Sequence, residues 1–167
     1  MRNAAEADAQ NPAYGWRVIT LRPAGDADID ALRRIAAAAY GPYVARMGQA
    51  PAPMTADYAQ AVRSGRAWVA VDGGERVGLA VLVAQRGYLL LENVTVLPAA
   101  QGCGIGTRLL ALAEDQARSL HLSEIRLYTS EAMTENLACY PRHGYVETHR
   151  ARQDGFRRVF SRKRLTG

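Results

Sequence analysis

The spacing of hydrophobic residues predicts an alternation of strands and helices along this 167-residue chain. Apolar residues at period two, or in short unbroken runs, predict strands, and apolar residues three or four apart predict helices. The predicted strands are residues 16–21, 67–71, 77–83, 88–96, 124–129, 145–148 and 156–164. The predicted helices are residues 26–47, 55–62, 134–143 and a segment that ends near residue 120.

Turn-forming residues separate these elements. An Asp-Gly-Gly sequence at residues 72–74 and an Asp-Gly sequence at residues 154–155 each lie between two predicted strands, as is typical of β-hairpins. Gly41-Pro42 is expected to interrupt the first helix. Arg22-Pro23 is expected to end the first strand, residues 48–53 to form a loop, and Thr55 to cap the second helix.

The length favours a single domain over residues 16–167, preceded by a flexible, alanine-rich tail at residues 1–15. No run of 18 apolar residues exists, so the sequence predicts no membrane-spanning segment. The tail lacks the apolar stretch of a signal peptide. The two cysteines have no metal-ligand spacing, and no metal site is expected. These features favour a cytoplasmic protein.

The net charge of +5 is concentrated near the end of the chain. From Arg142 onward, eight basic residues stand against Glu147 and Asp154. Such a stretch is compatible with nucleic-acid binding. It has few interleaved aromatic residues, however, and it alternates like a strand. We therefore expect a solvated strand face, or attraction of an anionic cofactor or substrate, and no nucleic-acid partner.

A glycine-rich segment, residues 97–107, links the predicted strand 88–96 to the helix that ends near residue 120. It places three glycines in five residues, so backbone N–H groups can turn toward a ligand at a helix start. A Walker loop would need Gly-Lys-Ser/Thr, and Gly106 is followed by Thr107 and Arg108. A Rossmann fingerprint would need glycine at position 107. Neither motif fits.

The spacing Gln101-x-x-Gly104-x-Gly106 resembles the pyrophosphate loop of the GNAT superfamily of N-acetyltransferases. The predicted order of elements, β-α-α-β-β-β-α-β-α-β-β, also resembles the GNAT fold. The resemblance implies an α+β (α/β) acyl-CoA N-acyltransferase fold, with a mixed central sheet of about seven strands flanked by about four helices. It also implies acetyl-CoA as the cosubstrate. Within the superfamily, the sequence resembles a bacterial subgroup whose substrate is unassigned.

A second segment, Asn136-x-x-x-Tyr140-x-x-x-Gly144-Tyr145, resembles another GNAT signature. Asn136 and Tyr140 are four residues apart and share one helix face. The resemblance implies that the Asn136 amide binds the pantetheine arm and that Tyr140 protonates the leaving thiolate. Pro141 departs from the family pattern. A proline disfavours helical geometry at the preceding residue, here Tyr140, and so could change the direction of that side chain.

The resemblance implies a cosubstrate site on the strand, the glycine-rich segment and the later helix. The implied residues are Val94, Thr95, Val96, Gln101, Gly102, Cys103, Gly104, Ile105, Gly106, Thr107, Asn136 and Tyr140.

Glu92 is the candidate general base for an amine acceptor. It has the same strand parity as Val94 and Val96, so it is expected to face the same cleft. A carboxylate there could accept the ammonium proton through a water molecule. The alternative is that Glu92 pairs with an arginine for structural reasons.

The acceptor is not identified by the sequence. Substrate choice in the superfamily usually depends on segments that correspond here to residues 40–58 and 150–162, the first rich in aromatic residues and proline, the second basic. The acceptor is expected to be a small-molecule or peptide amine: small anionic amines, amino acids and a protein terminus are all left open, and so is a homodimer. The competing interpretations are a non-catalytic acyl-CoA sensor on the same fold and a basic nucleic-acid-binding domain.

Overall fold

A mixed seven-stranded sheet forms the centre of the computed structural model, which describes residues 18–166. Each predicted strand overlaps an observed one. The predicted tail and residues 16–17 of the first predicted strand lie outside the described residues. The strands are β1 (Ile19–Pro23), β2 (Ala67–Asp72), β3 (Glu75–Gln85), β4 (Tyr88–Val96), β5 (Glu124–Ser130), β6 (Val146–Gln153) and β7 (Phe156–Arg164).

Six α-helices occur within residues 18–166, more than the four or so that the sequence predicts. They are α1 (Ile29–Tyr40), α2 (Tyr43–Met47), α3 (Ala52–Thr55), α4 (Tyr58–Arg63), α5 (Ile105–Ser119) and α6 (Thr134–Cys139). The first predicted helix divides at Gly41-Pro42, and α3 forms within a predicted loop. A Cβ at position 41 would lie 2.8 Å from the carbonyl oxygen of Ala37, which explains the glycine there. None of the helices described is long and apolar enough to cross a membrane.

The strand order is β1-β2-β3-β4-β5-β7-β6. Strands β1 to β4 pair antiparallel in sequence order, and β6 and β7 form a hairpin whose second strand pairs with β5. Strands β4 and β5 are parallel, and α5 lies in the connection between them. The loop that enters α5 therefore lies at the carboxyl end of β4, where open sheets with parallel strands bind ligands.

Helices cover both faces of the sheet and bury its apolar side chains. On one face α5 packs over the centre of the sheet, and the buried residues include Leu82, Leu89, Leu91, Leu109, Ala113, Ile125 and Leu127. On the other face α1 and α4 pack over β2 and β3, and the buried residues include Leu32, Ile35, Tyr58, Val69, Leu79 and Val81. This two-sided burial explains why β3 reads as an almost continuous apolar run.

The parallel pairing of β4 and β5 is short. It joins residues 89–91 to residues 125–127, whereas β4 continues to Val96 and β5 to Ser130. The two strands are therefore paired at one end and separated at the other. Their separation opens a cleft in the middle of the sheet, directly before the glycine-rich loop.

A β-bulge lies where the two strands separate. On β3, Val81 pairs with Asn93 and Leu82 pairs with Leu91, so Glu92 is the additional residue on β4. The bulge reverses the alternation of faces along the strand. Leu91 packs on the α5 side before the bulge, and Val94 packs on the same side after it.

Two local predictions are wrong in detail. Strand β1 continues through Arg22-Pro23, which is tolerated because β1 is an edge strand and needs fewer backbone donors. Helix α4 is capped by Asp57, whose side chain accepts a hydrogen bond from the backbone N–H of Gln60 at 3.0 Å. Thr55 instead ends α3, and its hydroxyl donates to the carbonyl oxygen of Ala52 at 3.4 Å.

The predicted helix 134–143 changes geometry at Pro141. Helix α6 ends at Cys139, and residues 140–143 continue as a 3₁₀ turn that Gly144 closes with a φ of 89°. Tyr140 keeps right-handed helical dihedrals, φ −60° and ψ −39°. The expectation that Pro141 disfavours helical geometry at Tyr140 is therefore wrong. The chain accommodates the proline by tightening the turn.

A buried carboxylate ties the first strands together. Asp28 is 2% exposed, and it accepts hydrogen bonds from Arg22 at 2.7 and 3.0 Å, from Arg76 at 2.6 Å and from the backbone N–H of Gly25 at 2.8 Å. The hydrogen bond from Arg22 is the main reason that the pKa of Asp28 lies far below its usual value. Arg22 belongs to β1 and Arg76 to β3, so one side chain joins two strands to the turn before α1.

Candidate active site

The open edge of β4 presents backbone groups to the cleft. The carbonyl oxygen of Val96 accepts a hydrogen bond from Gln101 Nε2 at 3.2 Å, and that of Val94 lies 3.5 Å from the Tyr40 hydroxyl. These carbonyls therefore point away from β3. In a strand, the N–H and C=O of one residue point to the same side. The N–H groups of Val94 and Val96 thus face the side from which β5 has separated.

The loop before α5 has the backbone conformation of an anion cradle. Gly102 and Gly104 have φ values of 82° and 81°, in the left-handed region that favours glycine. A Cβ at either position would meet nothing within 4 Å, so the loop surface is open. Gly104 is the N-cap of the 15-residue helix α5, whose first N–H groups have no intrahelical acceptors. Such a loop can bind phosphate oxygens.

Not every residue predicted for cosubstrate binding exposes its side chain there. Gln101, Gly102, Cys103, Gly104 and Thr107 are exposed, and Gly106 is half-buried. Two others, by contrast, are core residues: Thr95 is 4% exposed and Ile105 is 1% exposed. The Ile105 side chain belongs to the apolar core beneath α5, and Thr95 Oγ1 is hydrogen-bonded to Asn93 Oδ1 at 2.6 Å. Only their backbone groups are available.

A cavity of about 300 Å³ continues from the cleft toward α3 and α4. Strands β4, β5 and β7, helices α1 to α4 and helix α6 contribute to its wall. Four of the predicted site residues line it, namely Glu92, Val94, Asn136 and Tyr140. The segments expected to choose the substrate also meet here, since residues of both 40–58 and 150–162 are part of the lining.

Glu92 reaches the cavity through the bulge. Glu92 does not share strand parity with Val94 and Val96, because the bulge lies between them. Glu92 and Val94 nevertheless both line the cavity. Its carboxylate is exposed, and its negative charge helps to raise the pKa of Tyr58 and Tyr128, after burial of those phenols. Within residues 18–166, no arginine or lysine lies in ion-pair distance of Glu92. The alternative structural pairing with an arginine is absent from this part of the chain.

Tyr140 lies across the cleft from β4. Its ring packs edge-on against Tyr145, with ring centroids 5.7 Å apart. Burial raises the pKa of Tyr140 well above its usual value, so the phenol keeps its proton at neutral pH. One turn earlier, the Asn136 amide lies 3.5 Å from both Thr129 Oγ1 and Met133 Sδ. These are weak contacts, and they leave the amide available to a ligand.

Sequence reasoning missed a buried polar network on the floor of the cavity. Thr95 Oγ1 donates to Asn93 Oδ1 at 2.6 Å and lies 3.2 Å from the Tyr40 hydroxyl. Asn93 Nδ2 donates to the Tyr58 hydroxyl at 3.0 Å, and that hydroxyl donates to the carbonyl oxygen of Pro53 at 2.6 Å. The network attaches the bulged strand to α1 and α4. Two polar residues two apart in an apolar strand were its signal in the sequence.

Sequence reasoning also treated the basic hairpin as a single surface. Most of its arginines are exposed, but Arg158 is 7% exposed and lines the cavity. Its guanidinium lies over the Tyr128 ring, 4.2 Å from the centroid, and 5.4 Å from the Phe156 centroid. The cavity therefore contains a cation as well as the Glu92 carboxylate.

The described residues contain no group of three His, Cys, Asp or Glu side chains that could hold a metal ion.

A sequence model of the acetyltransferase (GNAT) family matches residues 29–145. PaiA N-acetyltransferase from Thermoplasma acidophilum, solved in complex with coenzyme A, shares 17% identity at a TM-score of 0.70, with 89% of this chain and 99% of that chain covered. The ribosomal-protein-S18-alanine N-acetyltransferase from Escherichia coli shares 18% identity at a TM-score of 0.71, with 90% of this chain and 96% of that chain covered.

YncA from Salmonella typhimurium, solved with its cofactor acetyl-CoA, shares 20% identity at a TM-score of 0.68, with 90% of this chain and 95% of that chain covered. At these identities, the likeness to solved structures concerns the fold. No curated protein sequence matches the chain significantly.

Proposed function

The chain belongs to the GNAT acetyltransferase family, and we propose that it transfers an acetyl group from acetyl-CoA to a primary amine by direct attack within a ternary complex. The observation that carries this proposal is the separation of β4 and β5. The separated strands connect an open glycine-rich loop at one end to a cavity with a carboxylate and a phenol at the other.

The residues of the cleft fit coenzyme A. Backbone N–H groups of residues 102–107 would hold its diphosphate, because the loop is open and leads into the positive end of α5. The backbone of residues 94–96 and the Asn136 amide would hold the pantetheine arm along the open strand edge. When bound, acetyl-CoA supplies an acetyl thioester, and all other steps are assigned to the residues of this chain.

Glu92 is proposed to accept the proton of the acceptor ammonium. An aliphatic amine has a pKa of about 10.4, so on the order of one in a thousand is neutral at pH 7. The exposed Glu92 carboxylate, which no lysine or arginine of residues 18–166 neutralises, supports this role. A water molecule between carboxylate and amine would relay the proton.

Two groups are proposed to stabilise the charge that develops in the reaction. The backbone N–H groups near Val94 act on the acetyl oxygen, and the Tyr140 phenol acts on the departing sulfur. The amine nitrogen bonds to the acetyl carbon as the carbon–sulfur bond breaks. Negative charge on the acetyl oxygen is stabilised by a backbone N–H already oriented toward the cleft. The departing sulfur takes the phenol proton of Tyr140, which burial keeps in place at neutral pH. The second proton of the attacking nitrogen leaves through water as the amide forms, and it restores the phenol.

The test is release of free thiol from acetyl-CoA over a panel of primary amines. We expect turnover with at least one amine and intersecting initial-rate plots, as direct attack requires. Glu92→Gln and Tyr140→Phe should each lower kcat at least tenfold, in the range expected for loss of a general acid or base.

Tyr145→Phe is the matched control for Tyr140→Phe, because Tyr145 is buried against Tyr140 and its hydroxyl has no hydrogen-bond partner among the described residues. Its kcat should change less than twofold. Unchanged rates in both Glu92→Gln and Tyr140→Phe would refute the assigned roles. Binding of acetyl-CoA with no thiol release for any amine would favour the non-catalytic sensor.

A further inference from the structure

Arg158 is a buried cation whose charge the surrounding protein compensates only in part. Its hydrogen bonds to other described residues both come from Nη1, to Gln153 Oε1 at 2.8 Å and to Asp154 Oδ2 at 3.5 Å. The Asp154 side chain is 77% exposed, so solvent weakens this long contact. A guanidinium has five N–H donors. Nε and Nη2 remain for a ligand in the cavity.

The setting of Arg158 suits a carboxylate. Its guanidinium carbon lies 4.2 Å from the Tyr128 ring centroid and 5.4 Å from that of Phe156, so cation–π contacts help to hold the group at the cavity wall. A planar guanidinium fork matches the two oxygens of a carboxylate. Because the site is largely desolvated, an anion that reaches it gains more than it would at an exposed arginine.

Arg158, Glu92 and Tyr128 line the same cavity. Both charges act on the Tyr128 phenol, Arg158 lowering its pKa and Glu92 raising it, while burial is the larger effect. Tyr128 lies on β5, between β4, which carries Glu92, and β7, which carries Arg158. One cavity therefore offers a carboxylate for an ammonium group and a guanidinium for a carboxylate.

Two other charged side chains line the cavity. The Asp57 carboxylate is already engaged in capping α4, and Arg66 is exposed on the rim. The remaining wall near α2 and α3 is apolar, with Met47, Pro51 and Pro53. A zwitterion with an apolar substituent matches this distribution of charge and surface.

We propose that the acceptor is a free α-amino acid with an apolar side chain, whose carboxylate binds Arg158 while its amino group faces Glu92. This inference rests on the proposed acetyl transfer and names its substrate class. The cavity of about 300 Å³ is at the small end of ligand pockets, which favours a small molecule. The amino terminus of a peptide carries no carboxylate beside its amine, so it would leave Arg158 without a partner.

The experiment compares matched acceptors: methionine with 3-(methylthio)propylamine, and phenylalanine with phenethylamine. In at least one pair, kcat/KM for thiol release should be at least tenfold higher with the amino acid than with its decarboxylated amine. Arg158→Gln should raise KM for that amino acid about 10- to 100-fold, the range for a lost charge-assisted hydrogen bond. The rate with the decarboxylated amine should change less than threefold.

Arg157→Gln is the control, because Arg157 precedes Arg158 on β7 but its side chain is exposed. It removes the same charge from the same strand and should leave both KM values unchanged. Arg158→Lys, which keeps the charge without the planar fork, should restore part of the affinity. Equal rates for both members of every pair, or an equal loss in Arg158→Gln for both, would overturn the proposal.

Equilibrium binding separates this inference from the proposed function. Calorimetry with N-acetylmethionine and N-acetylmethioninamide, in the presence of coenzyme A, requires no turnover. The acid should bind at least tenfold more tightly than the amide to the natural protein, and equally weakly to Arg158→Gln. If no amine releases thiol but the acid shows this preference, acetyl transfer fails and carboxylate recognition stands. If thiol is released but the preference is absent, the carboxylate site is refuted.

Discussion

Two buried charges in this molecule differ in how completely the protein compensates them. Asp28 is 2% exposed and receives hydrogen bonds from two arginines and one backbone N–H, all between 2.6 and 3.0 Å. Arg158 is 7% exposed and has one short hydrogen bond, to Gln153 at 2.8 Å, and one long contact with a solvent-exposed carboxylate.

The difference separates structure from binding. A buried ion is costly unless every part of it is paired. Asp28 meets that condition within the fold, so its charge serves to hold β1, β3 and the turn before α1 together. Arg158 does not meet it within the described residues, and its side chain lines a cavity. An incompletely paired buried ion beside a cavity is therefore a better indicator of a ligand than a buried ion alone.

Removal of the Asp28 charge should have the largest effect on stability. Asp28→Asn removes the carboxylate that two arginines share, and a lost hydrogen bond to a charged group typically costs about 1.5–3 kcal/mol. The two arginine side chains are 41% and 34% exposed, so solvent compensates part of their charge. Denaturant unfolding should show this loss, while kcat per folded molecule stays within twofold. A loss below about 1 kcal/mol would mean that the Asp28 cluster is not a principal tie between the strands.

Acid should act on the same cluster. The pKa of Asp28 is lowered in the folded state, chiefly by Arg22. The stabilisation that the ionised carboxylate gives to the folded state is therefore fully present above its unfolded pKa of about 4. It is lost progressively as pH falls from there toward the folded pKa. The free energy of unfolding should therefore drop below pH 4 more steeply in the natural protein than in Asp28→Asn.

A second carboxylate titrates in the same window and must be separated from the first. Arg46 lowers the pKa of Glu135 to about 2 through a hydrogen bond on the surface. Glu135→Gln, measured beside Asp28→Asn, isolates this contribution. If the acid slope falls more in Glu135→Gln than in Asp28→Asn, the buried cluster is not the main source of acid sensitivity.

Arg158→Met should change the free energy of unfolding by no more than about 1 kcal/mol, and in either direction, because replacing an incompletely paired buried ion with an apolar side chain is often neutral. Carboxylate recognition should be lost at the same time. Thermal unfolding and the matched-acceptor assay measure the two effects on one preparation. Destabilisation as large as that of Asp28→Asn would make Arg158 a structural residue and remove the contrast.

The smallest effect is expected at Asp30, two residues from Asp28. Its side chain is 90% exposed and pairs with Arg33 at 3.2 Å. An exposed pair of this kind contributes about 0–1 kcal/mol, so Asp30→Asn should shift unfolding by about 0.5 kcal/mol or less. Equal effects at Asp28 and Asp30 would show that burial does not distinguish the two carboxylates.

Much of the fold is predictable because it depends on neighbours in the sequence. Tyr88–Val96 is predicted with the observed ends, since apolar β-forming residues are bounded there by Gly87 and Pro98. Both hairpin turns follow from Asp-Gly sequences, whose observed positive φ values at Gly74 and Gly155 suit tight turns. The glycine spacing at residues 102–106 likewise identified the family, which the family model confirms.

The candidate site is less predictable because it depends on contacts between distant segments. The sequence alone determined the strands, the principal helices α1 and α5, and the glycine-rich loop, because these follow from local periodicity and backbone preference. Only the tertiary structure decided that a bulge turns Glu92 into the cavity, that Thr95 and Ile105 are buried, and that Arg158 is buried. The physical reason is that burial and charge compensation are set by which strands become neighbours, and no local pattern records that.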